Sequence, residues 1–473
     1  MNEKKIVFGF EELEALFEEL RLLFEERHYT TLLNRINELT PIDAAEFLAS
    51  LPHERLPLLF RRMKKDMAAD IFSEIDVETQ EELIHFMTDE ELSDMMEDLY
   101  TDDAVDLLEE MPASIVARIM KNAKPQTRAM INTYLSYPED SAGSIMTSEF
   151  IDLKKEMTCS EAVARIRKIG LDKETVYVAY VTDKKRLLEG VVPLKSLLYA
   201  DPEARIEEIM NENVIFAYTN DDRETVANMI SRYDILALPI TDMEQRLVGI
   251  VTVDDALDVL ENEATEDIEK MAAILPTDKP YMKTGIWETW KKRVPWLLLL
   301  MLTATFTSTI ITHYEGAIGT YAILTAFVPM LMNTGGNAGG QSSVTIIRGL
   351  SLGEIELRNV WRVLYKEFLV SVLCGITLAA ATFVKTMVLD FRLQTQTVLA
   401  NGLVQNNLQI AAVISITVFL GIVIAKIVGT LLPILTKRVG LDPAVMASPF
   451  ITTIVDTVTL MIYFTVASLL LGI

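Results

Sequence analysis

Cysteine, histidine and balanced charge are what this sequence has least of. Its 473 residues include two cysteines, Cys159 in a charged stretch and Cys374 in an apolar run, so neither a disulfide framework nor a thiolate metal site is expected. Both are read as packing residues. Positive charge is scarce in the first 280 residues, where 30 Lys+Arg face 60 Asp+Glu, a balance of −30. That excludes the basic footprint a nucleic-acid binder needs. Charge of either sign is scarce afterwards: residues 281–473 carry 13 basic and 8 acidic side chains, a balance of +5, and the halves sum to the net −25. An ordinary soluble enzyme has no such second half. There is also no Walker sequence and no nucleophile with an adjacent base, so catalysis is not expected.

The charge-poor half contains uncharged runs, Val294–Tyr314 and Gly316–Ile347, each longer than the roughly 20 apolar residues that span a bilayer. Five spans are predicted: Val294–Tyr314, Gly316–Ile347, Glu367–Leu389, Leu408–Leu435 and Pro443–Leu471. Residues 1–30 alternate Glu and Arg with apolar positions and lack the pattern of a cleavable signal. The expectation is therefore a cytoplasmic amino-terminal half. Basic clusters at Lys291–Arg293, between Arg348 and Lys366, and at Lys437–Arg438 then all fall on the cytoplasmic side. Trp287, Trp290 and Trp296 fit an interfacial belt beside the first cluster.

Four segments follow: an acidic helical domain (1–140), a repeated α/β region (141–262), a connecting helix (263–285) and a membrane domain (286–473). In the first, short amphipathic stretches broken by N-cap and proline signals recur every fifteen to twenty-five residues or so, which predicts a small all-α superhelix. In the second, Val181-Thr182-Asp183 and Gly190-Val191-Val192 return 59 residues later as Ile240-Thr241-Asp242 and Gly249-Ile250-Val251. This resembles a tandem pair of cystathionine-β-synthase (CBS) modules, which commonly hold adenine nucleotides through a G-h-h-[ST]-x-x-D sequence. The second copy matches with Thr252 and Asp255, whereas the first has Pro193 and Ser196 there. Two readings of Thr252 and Asp255 stay open: a nucleotide contact, or an N-cap and a first-turn carboxylate.

Two features of the membrane half point to an ion path. Pro329–Gly349 concentrates glycine, asparagine and glutamine where lipid-facing sequence would be apolar, and such sequence is tolerated only where it is packed or lines water. Asp456 is the single ionisable group of the fifth span, and a carboxylate at membrane depth costs about 2.5–3.5 kcal/mol on insertion scales. Pairing with Lys385 or Lys426 is the structural alternative to an ion-path role. One carboxylate among amides and hydroxyls suits magnesium, which keeps much of its water.

Taken together, the acidic helices, paired CBS modules, connecting helix and five spans with N333-TGGN-x-G-x-Q-S and TT-x-x-D456 resemble the MgtE family of magnesium channels. The resemblance implies a homodimer in the plasma membrane with one pore, closed by high cytosolic magnesium. It implies pore roles for Asp456, Asn337 and Thr452, with Thr459 and Gly340 departing from the family's usual pattern. It implies regulatory magnesium at Asp70, Asp102 and Asp106, at Asp222, Glu224, Asp234, Asp255 and Asp258, and at Glu263, Glu266 and Asp267. Asp102 and Asp106 share a helix face, as do Glu263 and Asp267, and magnesium between such carboxylates would relieve their repulsion. For ATP as a regulatory ligand both answers stay open, because Ile235 stands where an aromatic ring could have stacked on adenine.

Overall fold

The computed structural model describes residues 10–52, 55–277, 281, 284–314, 323–390, 407–446 and 448–472. The chain divides into two compact units, Met1–Leu260 and Glu261–Ile473.

The first unit opens with ten short helices: α1 (Phe10–Glu25), α2 (Tyr29–Ile36), α3 (Pro41–Ala49), α4 (Leu56–Phe60), α5 (Lys65–Ser73), α6 (Val77–Phe86), α7 (Asp89–Asp98), α8 (Thr101–Glu110), α9 (Ala113–Asn122) and α10 (Pro125–Tyr134). Side chains set their starts. Thr40 accepts a hydrogen bond from the Asp43 amide and Asp76 from the Thr79 amide, while Thr88 and Glu91 form a reciprocal capping box. Alternate helices begin at 41, 65, 89 and 113, a 24-residue step, and α3 packs on α5, α5 on α7 and α7 on α9. This is the superhelical stack expected from the sequence. Its continuous core runs from Leu20 and Phe47 through Phe72 and Leu83 to Ile119 and Ile131. The surface pair Lys65–Asp94 at 2.6 Å also joins alternate helices, and Arg61, just after α4, pairs with Glu91 of α7 at 2.8 Å, but solvent exposure keeps their contribution small.

Two three-stranded sheets follow, β1 (Ile151–Leu153), β2 (Val178–Thr182) and β3 (Leu188–Pro193), then β4 (Ala217–Tyr218), β5 (Ala237–Thr241) and β6 (Leu247–Thr252). The offset of 59 seen in the sequence is the register itself: Ala179 pairs with Val192, and Leu238 with Val251. Each sheet joins one parallel and one antiparallel pair, with helices α11 (Cys159–Ile169), α12 (Leu194–Tyr199), α13 (Ile206–Ile209) and α14 (Arg223–Tyr233) around them. The buried Tyr180 hydroxyl donates to the Ala237 carbonyl at 2.9 Å, tying one copy to the other.

The connecting helix differs from the expected 263–285. Helix α15 (Val253–Met271) starts directly after β6 and crosses the unit boundary, because no glycine or proline interrupts residues 253–271. It ends where Ala273 turns left-handed at φ 57°. Part of the predicted remainder lies outside the described residues.

The second unit contains α16 (Ile286–His313), α17 (Ile323–Ser351), α18 (Val360–Lys385), α19 (Asn407–Val439) and α20 (Ser448–Leu471). Among the described residues four of these, all but α17, are long and apolar enough to cross a membrane. Helix α17 has the length, but glycines and amides dilute its apolarity. The expected start of the second span at Gly316 lies outside the described residues, and the third starts earlier than predicted, at Val360. Helix α17 packs on α19 and α20, and α18 on α19, around Leu324, Phe327, Ile414, Val418, Val455 and Phe464. The Tyr463 hydroxyl donates to the Leu324 carbonyl at 2.9 Å.

Close approach of α17 and α19 requires glycine. A Cβ at Gly429 would collide with the Gly339 carbonyl, and backbone cannot rotate away as a side chain can. Gly429→Ala is therefore expected to cost about 1–3 kcal/mol as overpacking, read as a lower thermal midpoint in detergent. Gly285→Ala, with nothing within 4 Å of the added atom, is expected to leave that midpoint unchanged.

Candidate cation sites

The membrane site is built where α17 meets α20. Glycine lets the two backbones approach: a Cβ at Gly336 would collide with Thr452 Cγ2 and lie 3.6 Å from Asp456 Oδ1. Asp456 Oδ1 is buried and has no hydrogen-bond partner among the described residues. Neither candidate lysine neutralises it, since the Lys385 ammonium donates to Asp390 at 3.1 Å and the Lys426 ammonium to Ser342 at 3.2 Å. Asn337 Nδ2 donates to Asn333 Oδ1 at 3.2 Å, and Asn333, Asn337 and Gln341 form an exposed polar edge with a four-residue spacing. The carboxylate thus faces the glycine turn from which this amide ladder extends. Thr459, a departure from the family's pattern, is buried against two glycines: its Oγ1 would be 2.9 Å from a Cβ at Gly335, and its Cγ2 3.4 Å from one at Gly421. Gly340 is likewise buried. Both departures are accommodated by packing.

The second site lies within the first unit, where α8 faces the CBS pair. Thr101, fully buried, donates to Glu149 Oε1 at 2.9 Å, and Thr147 donates to its other oxygen at 2.6 Å. This bond anchors the start of α8 and brings its carboxylates to the α/β modules. Burial first, then the Asp255 charge, holds the Asp102 carboxyl well above the ordinary carboxylate range. Burial and Asp255 likewise push Asp103 up to about 6. Burial, with Glu109 and Asp103 nearby, pushes Asp106 up to about 7. Glu174 is raised to about 7 by burial and by Asp255 and Asp254, and Glu74 is raised by burial, Asp258 and Asp70. Asp102 Oδ1 and Glu174 Oε2 are buried without a hydrogen-bond partner among the described residues. Such oxygens fit a cation. Among the described residues no three His, Cys, Asp or Glu side chains form a ready-made metal cage, so a bound ion would reach most of these carboxylates through water, as magnesium commonly does.

The structure sorts the remaining sequence candidates. Asp70, Asp102, Asp106, Asp255 and Asp258 are gathered around this interface, joined by Glu74, Asp103, Glu149 and Glu174, which sequence spacing missed. Only Glu74, four residues after Asp70, and Asp103, beside Asp102, carried a usable local signal. Asp222 is instead the N-cap of α14, accepting from the Thr225 amide at 3.0 Å, with Glu224 in the first turn. Asp234 is the left-handed C-cap of the same helix, at φ 52°. In the second unit, Glu266 pairs with Lys270 at 2.6 Å on α15, as i, i+4 spacing allows, and Lys270 also reaches Asp442 at 2.7 Å. Asp267 accepts from Ser351 at 3.3 Å, and its carboxyl is raised by burial and by Asp442. Glu263 lies on the same helix.

Thr252 ends β6 and Asp255 lies in the first turn of α15, a placement that both readings share. The Thr252 hydroxyl donates to the Asp255 carboxylate, and Asp255 belongs to the acidic interface with Asp102 and Asp103. An open cleft of the CBS pair, about 570 Å³, lies instead beside the degenerate first copy, lined by Tyr177, Pro193, Lys195, Asn211, Asp234 and Ile235 among others.

Fold and sites define an integral membrane protein whose acidic soluble half is built on paired CBS modules. Family models match residues 328–466 as a divalent cation transporter, residues 39–140 as an MgtE intracellular N domain and residues 206–262 as a CBS domain. The magnesium transporter MgtE of Thermus thermophilus is 36% identical over 440 residues, covering 92% of this chain and 94% of that protein. The magnesium transporter MgtE of Bacillus subtilis is 30% identical over 437 residues, 92% of each. A crystal structure of the soluble part of a magnesium transporter matches 54% of this chain and all of its own at 32% identity, with a TM-score of 0.52. The chain belongs to the MgtE family of magnesium transporters.

Raised carboxyl values give the acidic interface a defined pH response. The packed arrangement binds more protons than a separated one between the ordinary carboxylate range and about pH 7, where Asp106 and Glu174 titrate, so its stability falls as pH rises through that window. Spin labels on α8 and on the CBS pair of the full chain, without magnesium, are expected to stay close at about pH 5.5 and separate at about pH 8, with magnesium flattening the difference. A distance independent of pH would contradict it.

Proposed function

We propose that this chain forms a homodimeric magnesium channel in the plasma membrane, with the acidic half in the cytoplasm sensing magnesium and closing the path when it is abundant. The reading includes five membrane spans, counting α17, and no catalytic activity. The observation that carries it is the unpartnered Asp456 oxygen beside the amide edge of α17. A bare carboxylate at membrane depth is retained where a cation compensates it. Amides and a carboxylate can accept hydrogen bonds from the waters of hydrated magnesium, so the ion need not shed its shell. The exposed polar edge of Asn333, Asn337 and Gln341 cannot face lipid, and a second copy across it would complete a wet path.

Regulation follows from the acidic interface. Magnesium among Asp102, Asp103, Asp106, Glu174 and Asp255 would offset their repulsion and favour the packed form, and linkage requires that the ion bind that form better than the open one. In the CBS cleft, the Tyr177 ring and the Lys195 ammonium suit a purine and a phosphate. ATP is thus the proposed second ligand of the cytoplasmic half, held at this cleft and not at Thr252 and Asp255.

Magnesium influx into proteoliposomes under an inside-negative potential tests the pore. Asp456→Ala is expected to lower flux at least about tenfold, equivalent to 1.4 kcal/mol on the barrier. Equal flux in the variant would overturn the assignment, and wild-type flux that requires a proton or sodium gradient would make the protein a coupled carrier. On the sensor side, Asp102→Asn with Asp255→Asn is expected to remove the dependence of flux on magnesium at the cytoplasmic face. Unchanged inhibition would place the sensor elsewhere.

A further inference from the structure

The magnesium-channel reading leaves unused a second ionisable cluster inside the membrane half. Lys426 on α19 is 6% exposed. Its ammonium donates to the Ser342 hydroxyl of α17 at 3.2 Å, and that hydroxyl donates to the Glu367 carboxylate of α18 at 2.8 Å. A cation and an anion are thus joined through one serine that is itself 2% exposed, and three helices are tied at one point.

The depth of this relay matches that of the ion site. Ser342 lies nine residues before the end of α17, Glu367 seven after the start of α18, Lys426 thirteen before the end of α19 and Asp456 eight after the start of α20. At 1.5 Å per residue these are all about 10–20 Å from the same helix ends. The two clusters also meet at a shared residue. A Cβ at Gly339 would lie 3.1 Å from the Ala425 carbonyl, next to Lys426, and 3.3 Å from Val455 Cγ2, next to Asp456. Gly339 is two residues beyond Asn337, the inner member of the amide edge. Where α19 holds α17 therefore decides where the amides stand relative to the carboxylate.

Apolar side chains would pack these helices at lower cost than a buried lysine joined through a serine to a half-buried glutamate, so the presence of the charges calls for a role beyond cohesion. We propose that Lys426, Ser342 and Glu367 are positioning residues: their relay holds the glycine-rich turn of α17 at a fixed offset from Asp456, and that offset selects which hydrated divalent cation the site accepts. The proposal rests on the assignment of Asp456 as the pore carboxylate. It differs in requiring that charge on α18 and α19, far from the amide edge in sequence, alter discrimination between magnesium and the larger calcium ion.

The test compares full-length wild type with Lys426→Arg, Lys426→Met and the charge-balanced double variant Lys426→Met with Glu367→Gln. Two readouts are taken on each: the magnesium-to-calcium flux ratio in proteoliposomes, and the ratio of magnesium to calcium thermal shifts in detergent, counting only the part lost on Asp456→Ala. Lys426→Arg is expected to keep both ratios. The double variant is expected to regain wild-type thermal stability, because no charge is left buried alone, yet to lose at least about threefold in both ratios, roughly half of the tenfold step on a logarithmic scale. A double variant that regains stability and both ratios would reduce the relay to cohesion and overturn the proposal. Should wild type fail to conduct, the channel reading falls, while the thermal-shift ratio still decides this one.

Discussion

Carboxylate that has been taken out of water without being given a partner is the interaction on which both halves of this protein turn. Desolvation penalises the charged form, and an opposite charge or a proton must compensate. In the membrane half the group is Asp456, with one buried oxygen unpartnered among the described residues. In the soluble half it is Asp102 and Glu174, each with a buried oxygen unpartnered among the described residues, and their raised values reflect the same penalty. A divalent cation can answer both deficits, and on that ground the proposed function gives one ion both roles, cargo and closing signal.

The rest of the architecture can be read as support for those two placements. Glycines at 335, 336, 339 and 429 let α17, α19 and α20 approach until Asp456 stands beside an amide ladder. Thr101, buried at the head of α8, clamps Glu149 and so commits the neighbouring acids to the interface. In the soluble half, packing free energy from the long helical core offsets the repulsion that the acids introduce. The balance between them makes the packed form responsive to protons and, under the proposed function, to magnesium. A core without those acids would hold one arrangement regardless of ionic conditions.

Much of this was legible in the sequence where a pattern is local or repeated. The offset of 59 between Val181-Thr182-Asp183 and Ile240-Thr241-Asp242 reappears as matched strand registers, and Asp456 stood out because the fifth span has no other acidic or basic residue. Distant convergence was not legible. Glu149 and Glu174 join the interface from a module far along the chain, and nothing in their neighbours marks them. Asp222 shows a second limit: a helix N-cap and a metal ligand favour the same residue type, so only the Thr225 amide bond separates the two. The motif at Thr252 and Asp255 was ambiguous for a similar reason, since a helix start satisfies the same spacing and the acidic interface claims the carboxylate. From sequence, Lys426 stood only as a possible partner of Asp456; its bond to Ser342 required knowing how α17 lies against α19.

The most direct test of the account is backbone hydrogen exchange across α8, Thr101–Glu110, in the full chain in lipid nanodiscs as magnesium is raised at constant ionic strength. The account requires protection of these amides to rise with magnesium and not with sodium chloride of equal ionic strength, because a divalent ion at the interface, not general screening, joins α8 to the CBS pair. Equal protection by both salts, or no change with either, would contradict it.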